Sequence, residues 1–139
     1  MPTTADFDAA VIATEEWIDD LKGRLGWRDR ERVYLALLAT LHALRDSLDR
    51  DATVYVGAQL PALLRGLYYD GWHPAARPPA VDRAAFLDRI HDGVHRDLGI
   101  DPDQVARAVF ALLAARMPPA EVEDAKAATP PTLHNLWPS

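Results

Sequence analysis

The chain has 139 residues, 49% of them hydrophobic and 26% charged, with no cysteine and a formal net charge of -6. That length fits a single domain, 1–139, and so apolar a chain is not disordered. The missing cysteines exclude disulfides, thiolate metal sites and a cysteine nucleophile, and the acidic balance argues against nucleic acid, which demands a basic stripe.

Phe7, Val11, Thr14, Trp17, Ile18, Leu21 and Leu25 recur every three or four residues and predict a first helix with one buried face. Gly26 supplies the left-handed residue that commonly closes a helix. A second helix follows from about Asp29 to Leu48, with Val33, Leu37, Leu41, Leu44 and Leu48 inside and Tyr34 and Leu38 widening the stripe. A third begins near Asp51 as N-cap and breaks at Pro61, which has no N–H to give and clashes with the preceding turn. Pro61 then starts a short helix over 62–69.

After a proline-rich connector at 71–79, Phe86, Leu87, Ile90, Val94 and Leu98 predict a helix that Gly99 ends as Gly26 ended the first. Asp101-Pro102 starts the next, with Val105, Val109, Leu112, Leu113 and Met117 buried. Pro118-Pro119 separates it from a helix over 120–128, and Thr129-Pro130-Pro131 breaks the chain before 132–137. Leu25-Gly26-Trp27 matches Leu98-Gly99-Ile100, and the run from Leu60-Pro61 to Tyr68 matches the run from Thr129-Pro130 to Trp137. The expected fold is therefore all-α: a compact helical bundle of two similar three-helix units with proline-broken third helices. The repeats span about 6–70 and 80–137.

Leu25-Gly26-Trp27-Arg28-Asp29-Arg30, Leu41-His42-Ala43-Leu44-Arg45-Asp46, Gly57-Ala58-Gln59-Leu60-Pro61 and the run Leu64 to Trp72 carry a family resemblance. The chain resembles the bacterial family called domain of unknown function 2267, from about Trp17 to Trp137. The resemblance implies a helical fold and brings no reaction, cofactor or catalytic residue with it.

Several polar clusters compete for a functional reading. His91 and His95 stand at i and i+4 on one predicted helix, with Asp88 and Asp92 three residues before each, a spacing suited to a metal ion. A solvated polar face is the simpler account, since no matching acid-x-x-His step lies in the first half. Arg28, Arg30 and Arg32 crowd the start of the second helix, against its dipole. They either pair with Asp19, Asp20, Asp29 or Glu31, which is favoured, or bind an anion. His42, Arg45, Gln59 and Arg65 border the Pro61 kink, where polar side chains satisfy freed carbonyls; the alternative is a ligand cleft between the halves.

Tyr68, Tyr69 and Trp72 cluster before the connector and are expected to plug the seam between the halves, as Trp137 would in the second; a partner-binding patch is the alternative. Ser47 and Ser139 are the only serines, neither in a nucleophile context, and the seven glycines are scattered rather than gathered in a phosphate loop. The leading expectation is a cytoplasmic, non-enzymatic module that binds a protein partner or itself. No catalytic residue, cofactor, nucleic acid or membrane is expected, and neither a leader nor a spanning segment is read.

Overall fold

Aspartates set most of the helix starts. Asp29, Asp49, Asp82 and Asp101 stand in extended backbone and accept from N–H groups of Glu31, Ala52, Ala85 and Asp103 at 3.0, 2.8, 2.7 and 3.0 Å. Each satisfies a donor that a helix start leaves open. In the computed structural model, which describes residues 3–74 and 81–139, the helices are α1 (Thr4–Leu25), α2 (Arg30–Asp46), α3 (Arg50–Gly57), α4 (Ala62–Tyr69), α5 (Arg83–Gly93), α6 (Pro102–Arg116) and α7 (Pro119–Ala128). A 3₁₀ segment, Pro131–Leu136, closes the chain, and no strand occurs among the described residues. The fold is all-α.

The long helices α1, α2, α5 and α6 surround one core. Leu21, Val33, Leu37, Leu41, Ile90, Val105, Val109, Phe110 and Leu113 within it expose no surface. Burying each such side chain is worth about 1.5–3 kcal/mol. Helix α2 packs against α1, α4, α5 and α6, so it forms the spine of the molecule. It meets α5 tightly at Gly93, where an added Cβ would lie 2.5 Å from the Cβ of Ala39. Only glycine lets the two backbones meet there. No helix among the described residues is long and apolar enough to cross a membrane.

Four expectations need correction. The third helix takes Asp49, not Asp51, as its cap. Phe7 is 65% exposed, because α1 starts before the part of the helix that the bundle covers. Helix α5 ends at Gly93 rather than at Gly99, and Leu98 is consequently exposed instead of buried. The early stop is a Schellman closure: Arg96 N–H donates to the His91 carbonyl at 2.8 Å and His95 N–H to that of Asp92 at 3.0 Å. Tyr68 donates from its hydroxyl to the Thr53 carbonyl, and Trp137 stacks on Phe110. Residues 75–79 of the expected connector and residue 80 of the expected second repeat lie outside the described residues.

Candidate functional site

Pro61 has no N–H, so the Gly57 carbonyl four residues earlier loses its helical donor. Arg65 supplies the replacement, with Nε donating to Gly57 O and Nη2 to Leu60 O, both at 2.9 Å. Gln59 stands half-buried between these two carbonyl groups. At the other end of α4, the open carbonyls are taken by side chains of α2. His42 Nε2 donates to Leu67 O at 2.8 Å, and Arg45 Nη1 donates to Tyr68 O and Asp70 O at 2.9 Å. Arg45 is buried, and Asp46 balances its charge by accepting from Nε and Nη2 at 2.8 and 3.0 Å. Arg89 of α5 also binds Asp46. Burial would raise the Asp46 carboxyl, but the hydrogen bonds and charges of Arg45 and Arg89 outweigh it and hold the group below the usual carboxylate range. His42, Arg45 and Arg65 are thus committed to the chain's own carbonyls.

That frame fixes an aromatic face. Tyr68 is fully buried and donates from its hydroxyl to the Thr53 carbonyl at 2.9 Å; burial pushes its phenol far up. Tyr69 meets Tyr68 edge-on at 5.0 Å and lies on Gly57, where an added Cβ would stand 2.4 Å from its hydroxyl oxygen. Gly71, at φ 76, turns the chain so that Trp72 N–H reaches the Tyr69 carbonyl at 2.9 Å. The Trp72 ring then sits 5.4 Å from the Tyr69 ring. Both rings stay partly exposed, and the Tyr69 hydroxyl lies 3.5 Å from the carbonyl of Val54 on α3, a residue 50% exposed. Arg50, one turn earlier on α3, is exposed and makes no ion pair among the described residues.

Val54 escaped the sequence reading because half-exposed and buried valines look alike in a helical stripe. Its signal was the pair Val54 and Val56, two residues apart, which a short helix cannot bury on one face.

The arginine cluster at the start of α2 divides. Arg30 pairs with Asp19 at 3.2 Å and reaches Glu15 at 3.9 Å, as structural pairing requires. Arg32 crosses instead to Asp97 at 2.7 Å, with its guanidinium 5.6 Å from the centre of the Trp27 ring. Arg28 is exposed and unpaired among the described residues. The structure does not bring His91 and His95 onto one helical face. His91 is on α5, whereas His95 lies past its end at φ 59, and His91 Nε2 donates to the Asp97 carbonyl at 3.0 Å. Among the described residues no group of three or more His, Asp or Glu is placed to hold a metal ion.

The geometry describes an all-helical protein with a braced aromatic face. Residues 14–136 match the family model described as an uncharacterized conserved protein, DUF2267, and the chain belongs to that family. No curated protein matches the sequence.

Proposed function

We propose that the protein is a non-enzymatic interaction module whose working surface is the Tyr69–Trp72 face with Val54. The observation that carries this reading is a braced but open aromatic pair: Tyr69 rests on Gly57, Trp72 on Tyr69, and both keep part of their surface in water. Tyrosine and tryptophan anchor protein contacts because they bury much area and have few torsions to fix. Arg45 and His42 hold the backbone beneath them, so little order would have to be imposed on binding.

A second argument comes from the internal match. We infer that the chain is two copies of one helical unit, about 6–70 and 80–137. In support, Asp29 and Asp101 cap equivalent helices at φ/ψ of -84/104 and -92/109. Pro61 and Pro130 start equivalent turns at -56/149 and -53/142. Arg65 donates to the Leu60 carbonyl and His134 to that of Thr129, in matching positions. Tyr68 and Trp137 are both buried. What the unit needs to fold occurs twice. Tyr69 is not repeated, since Pro138 stands in the matching position, and its ring is open to serve something other than the fold.

A photo-cross-linking phenylalanine at position 72, with position 115 on exposed α6 surface as control, tests the reading in cells making the full chain. A discrete adduct from 72 alone is expected. No adduct, or the same adducts from both positions, would overturn it.

A further inference from the structure

Two buried polar atoms have no hydrogen-bond partner among the described residues, the indole Nε1 of Trp137 and Oε2 of Glu121. The indole has one hydrogen to donate and nothing to accept with, and a carboxylate oxygen accepts. A buried indole N–H ordinarily finds an acceptor, because a bare one forfeits the hydrogen bond it had with water. Trp137 is only 4% exposed, so bulk solvent does not supply that acceptor. Donor and acceptor are complementary, and both lie in the layer that closes the second half. Glu121 is on α7, and Trp137 directly follows the 3₁₀ segment that packs against α7.

The first half shows the same layer with its polar groups satisfied. There the Tyr68 hydroxyl donates to the Thr53 carbonyl of α3 at 2.9 Å. The shift that carries Pro61 onto Pro130 carries Tyr68 onto Trp137 and Thr53 onto Val122 of α7. It also carries the α3 cap Asp49 onto the α7 cap Pro118, and the buried Val56, Leu60 and Leu64 onto the buried Ala125, Thr129 and Leu133. Two differences separate the layers. A phenol holds its donor at the far tip of the ring, whereas an indole holds its N–H on the ring's flank, and Trp137 does not repeat the Tyr68 bond. Where the first half has Ala52, with no polar side chain, the second has Glu121. The second half thus lacks the ring-to-backbone bond and carries a carboxylate in the matching place.

We infer, on the reading of the chain as two copies of one unit, that Glu121 and Trp137 form a polar site between α7 and the closing turn that binds a water molecule. The Trp137 ring stands against α7 at Val122, beside Glu121, as the Tyr68 ring stands against α3 at Thr53. The water oxygen accepts from the indole N–H, and one water hydrogen is donated to Glu121 Oε2. Water suits the site because the two groups make no bond to each other, and it is the smallest neutral molecule that both accepts and donates. Glu121 is then the second half's counterpart of the Thr53 carbonyl: it anchors the buried ring, one water removed.

NMR of the nitrogen-labelled full chain tests this at the Trp137 indole, assigned through Trp137→Phe or, if that variant does not fold, through its contacts with the Phe110 ring. A rotating-frame cross-peak from the indole N–H to water is expected, with the sign that separates a held water from proton exchange. Glu121→Leu should abolish the cross-peak and shift the indole resonance. Glu121→Gln, whose amide oxygen still accepts, should keep it, and so should Glu123→Ala on the exposed side of the same helix. No water cross-peak in the wild type, or one that survives Glu121→Leu, would overturn the inference. A cross-peak from the indole N–H to the Val122 methyls reports the register by itself. Seen without the water signal, it leaves the two-copy match standing at this layer and removes the water. If it is missing, the match fails here and the site fails with it.

Discussion

A glycine inside a helix ordinarily costs about 0.5–1 kcal/mol relative to alanine, so replacing it usually stabilises. Gly23 follows that rule: nothing lies within 4 Å of an added Cβ, and Gly23→Ala is expected to raise stability by about 0.5–1 kcal/mol. Gly93→Ala should do the opposite and lower it by about 1–3 kcal/mol, because the new methyl meets Ala39 on the spine helix. Urea denaturation of the two variants checks both signs. Asp46 makes a pH prediction. Its folded carboxyl lies below its unfolded value, so its contribution is present above about pH 4 and disappears as pH falls through the folded value. Asp46→Asn leaves buried Arg45 without its counter-charge and should cost about 2–3 kcal/mol at neutral pH. That difference should shrink as pH falls below about 4 and on through the folded value, where the wild-type carboxyl takes up its proton; urea midpoints across pH would reveal it. A constant difference would contradict the assignment.

Among the elements, the α3–α4 kink depends on one side chain. Arg65→Met removes the side-chain donors to Gly57 O and Leu60 O, leaving Gly57 O the Leu60 N–H at 3.1 Å, and should destabilise by about 1–3 kcal/mol in thermal or urea unfolding. Arg65→Lys should recover only part of this, since an ammonium lacks the fork that reaches two carbonyls. The bounds of α4 were readable because a proline start is a local signal. The architectural role of Arg65 was readable for the same reason: a freed carbonyl invites a donor nearby. The end of α5 was not readable. Leu98-Gly99 carries the same stop signal as Leu25-Gly26, but the outcome is decided by Arg32 on Asp97 and by Ala39 against Gly93, contacts between residues distant in the chain. Misplacing that end also put His95 on a helix it does not share with His91. Phe7 misled differently: its periodic stripe continues beyond the length of helix that the bundle can cover.

Across the whole molecule, the two halves are tied by reciprocal links. Arg32 and Asp46 in the first half meet Asp97 and Arg89 in the second, and Arg116 of the second reaches Asp20 of the first at 3.1 Å. The aromatic face was half legible: Tyr69 and Trp72 stood out by residue type, while Val54 joined them only through the seating of Tyr69. Neither half keeps its side of the central core covered without the other, so the chain is expected to unfold in one cooperative step. The two buried indoles provide a way to see this. Trp17 on α1 is buried beneath the Arg116 guanidinium of α6, 5.7 Å from its ring centre, and Trp137 is buried on Phe110, whereas Trp27 and Trp72 remain partly in water. Variants retaining only Trp17 or only Trp137 should each emit in the blue while folded and shift red on unfolding. Coincident midpoints in urea would mark one cooperative unit, and separated midpoints would mean that the halves part first. Burial has thus given the intact chain two fluorescent reporters, one where α1 meets α6 and one at the closing turn, and the two places can be followed separately.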